Sequence, residues 1–404
     1  MKKTLIEPSK KIPVSGIYDV VVVGGGIAGV SAALAASRNS ASVCLIEKEN
    51  GLGGLATLGN VVIYLPLCDG MGNQVIKGIC EELIKVSVKD GFKKIPECWT
   101  DKKGTTEERS ANRYRVEFNP MSFMLELEQL IVKNKIKLYY DTRFCDVILE
   151  KNRIKGITVE NKSGRSAILC KSVVDASGDA DVCFMAGEKT VSSDTNVRAG
   201  WFYYYEGGEV KRYSFTRPYD PYRKKPDGKM SFKGDDADDV TNFTVETRKL
   251  LLKTLNDMRK EKRDIRPLFM TSVPAFRMSR RLKGKIEIEE KHDHKYFDDC
   301  VGMTGDWRKK GPVLFIPLSS LTCIRTGNLI SAGRCISANS AWDITRAIPT
   351  CAVTGEAAGT AAAMLCRKKL SSFSELEIGE LQKQLLKQKV LIDRKIATRQ
   401  EERH

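Results

Sequence analysis

The stretch from Tyr18 to Thr57, YDVVVVGGGIAGVSAALAASRNSASVCLIEKENGLGGLAT, narrows the possible folds more than any other part of the chain. Four successive valines, Val20 to Val23, suit a strand buried on both faces, because β-branched side chains pack well on a pleated core surface. Gly24, Gly26 and Gly29 follow at G-x-G-x-x-G spacing. Such glycines allow a sharp turn, a close approach of pyrophosphate to the backbone, and tight packing of the next helix on the strand. Val30 to Arg38 supplies that helix, whose N-terminus presents unpaired N–H groups to phosphate. A second strand, Ser42 to Ile46, ends at Glu47, about 20 residues on, where a carboxylate accepts from the ribose hydroxyls of an adenosine. Strand, turn, helix, strand and acid arrive in the order a dinucleotide site needs.

Composition bounds the rest. A chain of 404 residues implies two or three domains, and 42% hydrophobic content is enough for a full core. No run of about 18 apolar residues occurs, and the most apolar late stretch, Cys351 to Cys366, is interrupted by Glu356. The N-terminal MKKTLIEPSKKIPVSG is basic but has no apolar signal core, so a cytosolic, cytoplasmic setting without membrane contact is expected. Twelve cysteines are scattered without a C-x-x-C. Disulfide-framework and metal readings both fail on that spacing, which leaves buried reduced thiols. The net charge of +16 comes from 67 basic against 51 acidic residues. The two signs interleave along the chain, which favours solvated basic faces over a nucleic-acid partner.

Residues 1–17 read as a loose leader. A helix is expected over Val75 to Asp90, a polar excursion over 91–112 and a helix over Met121 to Lys133. A strand is expected over Lys137 to Asp146, with hairpin turns at EKNR and NKSGR leading to the buried strand Ser172 to Ala176. From Trp201 the rhythm changes. WFYYYEGG reads as an aromatic strand, Arg212 to Asp239 as a charged loop, and Asp239 to Lys260 as a helix. The expected division is a nucleotide-binding part over 18–199, an inserted mixed α+β substrate domain over 200–312, a return segment over 313–370, and a C-terminal helix within 371–404. The return holds a strand at TGNLISAG and a helix from Pro349 to Arg367 with a face of small residues. Ser372 to Glu375 has the S-x-x-E form of a capping box opening a last helix to about Arg394.

Four blocks, GGGIAGVSAALAA, GGLAT, VVDASGDADV and NLISAGRCISANSAWDITRAIPTCAVTGEAAGTAA, together with FRMSRRLKG at Phe276–Gly284, resemble the FAD-dependent oxidoreductases with a glutathione-reductase-type FAD domain. The resemblance covers residues 18 to about 370. It implies an α/β, Rossmann-like FAD-binding domain and an enzyme that transfers a hydride, or two electrons, between a small organic substrate and flavin N5. The electron partner stays open. Gly24, Gly26, Ile27, Ala28 and Gly29 would cradle the pyrophosphate, and Glu47 with Lys48 beside it would hold the adenosine ribose. Gly53, Gly54, Leu55, Ala56 and Thr57 would run under the pyrophosphate and ribityl chain. Arg143 and Phe144 match the strand where backbone meets adenine, and Ala176, Ser177, Gly178 and Asp181 match the turn behind the nucleotide. Gly333 and Arg334 match the late strand end, although the commoner pattern there is Gly-Asp. An arginine at that place can neutralise a pyrophosphate. The helix after Pro349, with that proline at its first position, would point its positive end at the flavin.

The residues that could carry chemistry each have a structural alternative. Arg346, three residues before Pro349, would clamp a substrate carboxylate or carbonyl, or else pair with Asp343. Arg277, Arg280 and Arg281 would line an anionic substrate pocket, or make ion pairs at a domain interface. Cys351 falls in the first turn of the flavin-facing helix, where a thiol pKa can drop; Cys68 is a second candidate, and both could be plain buried thiols. Tyr203, Tyr204 and Tyr205 would donate protons if their strand faces the cleft. His292 and His294 are too few for a metal site, and His404 is terminal, so no metal is expected. Two other readings compete with the oxidoreductase: a flavoprotein modifying a tRNA base, motivated by the charge, and a non-catalytic flavin electron carrier.

Overall fold

The computed structural model describes residues 5–6, 8–91, 93–100, 104–214, 230–261 and 264–398. Parts of the expected leader, of the 91–112 excursion and of the Arg212–Asp239 loop, as well as His404, lie outside them. The main sheet has seven strands. We label these β1 (Val14–Val23), β2 (Val43–Ile46), β3 (Lys137–Tyr139), β4 (Arg143–Glu150), β5 (Arg153–Asn161), β6 (Gly164–Asp175) and β7 (Leu329–Ser331). The valines of β1 lie at its centre, fully or almost fully buried. They pair in parallel with β2, Val20 against Val43, and with β6, Val23 against Asp175. β3 extends the parallel half beyond β2, and β7 joins the C-terminal end of β6. The N-terminal half of β6 pairs instead with the antiparallel meander β4–β5. The molecule is thus α/β, with strand ends from four parallel strands gathered on one edge.

Two helices cover one face of this sheet: α1 (Ile27–Arg38) and α2 (Ile348–Lys368). α2 is buried on every side, apart from Cys351 and its last two residues, so it is a core helix and not a surface one. The two helices touch backbone to backbone. A Cβ added at Gly355 would stand 2.2 Å from the Ala28 carbonyl oxygen, and one at Gly359 would stand 2.1 Å from that of Ala32. Any side chain there would force the helices apart.

Between β6 and β7 the chain leaves the main body. Strands Trp201–Glu206, Glu209–Ser214 and Ile265–Met270 form a separate three-stranded antiparallel sheet, backed by the helix Ala237–Glu261. This unit has its own apolar clusters, one of Phe202, Tyr204, Leu255 and Ile265, the other of Ala199, Phe232, Phe243 and Phe276. By contrast, the hairpin Cys300–Gly305 and Val313–Pro317 packs in the main core against α2, where Gly302 faces Val353.

Several elements differ in extent from the sequence reading. β1 starts at Val14, within the expected leader. The helix expected over 75–90 spans Ile79–Ser87, since Gly78 at φ +69° breaks the chain before it. The strand expected over 137–146 is two strands, because Asp141 adopts φ +45° between them. The excursion 91–112 contains a short helix, Thr106–Ala111, opened by a capping box of Thr105 and Glu108. Ser372 caps a single 3₁₀ turn, and the last long helix is Ile378–Lys387.

Candidate functional site

A cleft of about 250 Å³ opens beyond the carboxyl ends of β1, β2, β6 and β7. Gly24 ends β1, Glu47 ends β2, Ala176 to Asp179 follow β6, and Ala332 to Arg334 follow β7; all line the cleft. This is the crevice in which open α/β sheets bind ligands. A larger hollow of about 740 Å³ lies on the outer side of α1, among Arg38, Glu82, Lys85, Glu356 and Lys389. It has no strand ends, and its charges are of both signs, so it lacks the features of a nucleotide site.

The glycine turn is built as its spacing requires. Gly24 sits at φ +101°, and a Cβ at Gly29 would stand 1.8 Å from the Gly24 carbonyl oxygen, so the turn and the start of α1 close on each other. Gly26 is different: a Cβ there would meet no protein atom within 4 Å, so the space in front of it belongs to the cleft. Gly53 donates its N–H to the Gly25 carbonyl at 2.8 Å, which lays the GGLAT segment alongside the first turn. Gly26 and Ala347, the N-cap residues of α1 and α2, provide no side-chain cap, and Ile27, Ala28, Ile348 and Cys351 line the cleft. Two long helices therefore direct uncapped N–H groups into one crevice.

Glu47 is buried at 8% exposure. Its carboxylate accepts from the Gly25 N–H at 2.6 Å and the Glu49 N–H at 2.9 Å. Burial pushes its pKa above the usual carboxylate range, against the pull of those two donors and of Lys48. It braces the glycine turn and still faces the cleft beside Lys48 and Glu49.

Arg334 is more committed than its sequence position implies. Its Nε donates to the Gly178 carbonyl at 2.6 Å, its Nη1 to the Phe276 carbonyl at 2.6 Å, and its Nη2 to Asp179 Oδ1 at 2.7 Å. Burial would raise the Asp179 pKa, but Arg334, the Ser279 hydroxyl and Lys48 hold it below its ordinary value. Arg334 thus lines the cleft with its charge shared, and it clips the turn after β6 to the inserted unit.

Arg346, also in the lining, pairs with the fully buried Asp343, through Nε at 2.8 Å and also through Nη2. Of the alternatives foreseen for Arg346, the pair with Asp343 is present, and the side chain also lines the cleft. The Cys351 thiol donates to the Arg346 carbonyl at 3.4 Å. Burial pushes its pKa up to about 12, which corrects the expected lowering at a helix start. Pro349 is the second residue of α2, not the first, and does not line the cleft.

Other candidates sit elsewhere. Arg143, Phe144, Gly29, Thr57 and Asp181 are outside the cleft lining. Phe144 packs beside the cluster under the sheet, and Asp181 pairs with Arg280 at 2.7 Å. Arg280 also donates to the Asp179 carbonyl and lies over the Phe184 ring at 4.1 Å. Arg281 is buried in a pair with Glu287 at 2.6 Å and lies 5.5 Å from the Trp342 ring centroid. Arg277 contributes its backbone N–H to Asn196. Arg280 and Arg281 are therefore held in ion pairs, and neither they nor Arg277 line the cleft. Tyr204 is in the apolar core of the inserted unit, so it cannot act as a proton donor in the cleft. Among the described residues no His, Cys, Asp or Glu group could hold a metal ion, and no helix is long and apolar enough to cross a membrane.

The sequence reading missed the far wall of the cleft. Gly234, Val240, Val273, Pro274 and Phe276 come from the inserted unit, and Leu58 and Asp179 complete the lining. Phe276 and Asp179 lie in blocks noted in the sequence, but Gly234, Val240, Val273 and Pro274 carry no motif, because an apolar wall is defined by where a distant segment folds back.

A parallel sheet whose strand ends, glycine turn and two helix starts share one crevice defines a dinucleotide-binding protein. A model of the FAD dependent oxidoreductase family matches residues 19–199 and 189–385, and the chain belongs to that family. Its cofactor is FAD. A 72-residue stretch is 32% identical to a thioredoxin reductase of Ureaplasma parvum, and this covers 18% of the chain and only 23% of that relative's length. Among solved structures, a geranylgeranyl bacteriochlorophyll reductase-like protein from Thermoplasma acidophilum is similar over 93% of this chain and 84% of that one, with 13% identity and a TM-score of 0.46. A p-nitrophenol 4-monooxygenase of Pseudomonas putida is similar over 92% and 84%, with 11% identity and a TM-score of 0.49.

Proposed function

We propose that the protein is an enzyme that moves a hydride, or two electrons, between a small organic substrate and N5 of its bound FAD. The observation that supports this best is the convergence of the α1 and α2 N-termini on one cleft. Two such ends suit a ligand with negative charge at one end and electron-accepting character at the other. Bound FAD supplies the redox chemistry itself. The chain's part is to hold and shield it. The Gly24–Gly29 turn and GGLAT take the pyrophosphate, and Glu47 takes the adenosine ribose. Ile348 and Cys351, at the start of α2, would face the ring, with Arg346 kept in place by Asp343. Val240, Val273, Pro274 and Phe276 exclude water from that end, so the substrate is a small molecule with an apolar body and a polar group directed to Arg346.

We take residues 200–276 as the substrate-side unit, because apolar clusters of its own support that boundary within the 200–312 block. A cytosolic setting fits twelve unbridged cysteines. The test is the visible spectrum of the purified protein, before and after FAD is added and the excess removed. Flavin bands that travel with the protein are expected, and their absence after FAD addition rejects the reading. Anaerobic bleaching by hydroxy acids or sugars, or reoxidation of the chemically reduced flavin by enones, then identifies the substrate class.

A further inference from the structure

Behind the cleft, on the other face of β6, two thiols lie together. The sulfurs of Cys183 and Cys323 are 3.7 Å apart, although the residues are 140 positions apart in the chain. We propose that they form an oxidisable dithiol, which closes to a disulfide when the protein meets a hydroperoxide.

The pairing is held by more than chance packing. Cys183 lies in the short helix Asp181–Met185, and its N–H donates to Asp175 Oδ2 at 2.9 Å. The segment that carries Cys323 is tied to this region by Glu188, a buried carboxylate. Glu188 accepts from the N–H groups of Ile324 at 3.2 Å, Arg325 at 3.1 Å and Thr326 at 2.7 Å, while its own N–H donates to the Cys183 carbonyl at 3.0 Å. Arg325 Nη1 adds a bond to the Gly187 carbonyl at 3.1 Å. The neighbours of one cysteine are thus pinned to the neighbours of the other, so the second thiol is supplied at high effective concentration. The pair is also unequal, since Cys183 is buried and Cys323 is half-buried, next to the exposed Ile324. That is the arrangement of an attacking thiol beside a resolving one.

The reaction balances without a further reagent. The Cys323 thiolate attacks one oxygen of the hydroperoxide, and the O–O bond breaks. The alkoxide takes the proton the thiol released, giving an alcohol and a sulfenic acid at Cys323. The Cys183 sulfur then displaces hydroxide from that sulfenic acid, and hydroxide leaves as water with the Cys183 proton. Two thiols and one hydroperoxide become one disulfide, one alcohol and one water. Burial raises the Cys323 pKa, so closure is slow at neutral pH and quickens as the pH rises. The new bond would join the segment after the Ala176–Asp179 turn to the segment before β7, so the cleft-lining turns of both strands share one cross-link.

The test treats the FAD-loaded protein with tert-butyl hydroperoxide, at a dose that leaves its circular dichroism unchanged. Thiols are then blocked under denaturing conditions and peptides are mapped without reduction. The blocked-thiol count should fall by two from twelve, with a dominant Cys183–Cys323 peptide that dithiothreitol removes. In Cys183→Ser, a dimedone-trappable sulfenic acid should persist at Cys323. In Cys323→Ser, thiol loss should drop at least about fivefold, as expected when the accessible attacking thiol is removed. A map in which that peptide is missing, or in which another pair dominates, overturns the proposal. The wild-type map decides even if neither variant folds.

Discussion

A side chain at Gly26 would find no protein atom within 4 Å, and the residue's φ of −66° is open to any amino acid. Gly29 is the opposite case, since its missing Cβ would overlap the Gly24 carbonyl. Two glycines of one motif therefore serve different masters, the ligand and the fold. Gly26→Val is expected to leave the melting temperature of the FAD-free protein within a degree or two. It should weaken FAD binding at least tenfold, a loss of about 1.4 kcal/mol. Calorimetry of the FAD-free protein and a flavin fluorescence titration give both values; unchanged affinity would mean that the pyrophosphate does not pass over Gly26. The motif was legible in the sequence because its parts are local. The partners of Arg334 were not, because Gly178, Asp179 and Phe276 reach it from 156, 155 and 58 positions away.

The α2 helix carries a carboxylate in its buried middle. Glu356 is 1% exposed and accepts from the Ile79 N–H at 2.7 Å, which caps the helix Ile79–Ser87 from another element. Gln388 donates to its other oxygen at 3.3 Å, while Arg38 and Glu82 act on it with opposite signs. Burial dominates and raises its pKa from 4.5 to about 7. A carboxyl that holds its proton more tightly when folded adds stability below its unfolded pKa, and loses it as the pH rises through the folded value. Glu356→Gln keeps the cap and cannot ionise. It should therefore match the wild type near pH 5 and exceed it at pH 8, by on the order of 2–3 kcal/mol. Denaturant midpoints at the two pH values measure this; an equal difference at both would show that Glu356 stays charged throughout. The sequence displayed this helix well through its small residues. It displayed Glu356 only as an interruption, since the donor it caps is 277 positions away.

At the scale of the molecule, polar contacts tie the inserted unit to the main body. Asn196 accepts from the N–H groups of Arg277 and Met278, and donates to the carbonyls of Phe232 and Met278. Arg334 adds the link to Phe276, and the Ser272 N–H donates to the Leu58 carbonyl at 2.9 Å. Arg334→Ala removes one clip and leaves Asp179 without its guanidinium, a cost of about 2 kcal/mol for a partly buried charge-assisted hydrogen bond. Backbone hydrogen exchange should quicken at least severalfold in 232–240 and 272–278, and stay slow in β1. Arg334→Lys, which keeps the charge but not the three-way reach, should show the same pattern with a smaller loss of stability. Exchange that rises evenly over the whole chain would instead mean general destabilisation. That the insert exists was legible from the break in the strand–helix rhythm at Trp201. Which of its residues reach the cleft was not, because Val240 and Val273 look like any core residues until the chain folds back.

The contact of α1 with α2 has a mechanical consequence. The carbonyls of Ala28 and Ala32 lie against Gly355 and Gly359, with no side chain between to slide or compress. The two helix starts are therefore fixed points of one frame, and the distance between the two ends of a bound dinucleotide is set by the frame. One wall of the cleft is thus a rigid joint of two helices more than 300 residues apart in sequence, and the facing wall is supplied by the inserted unit.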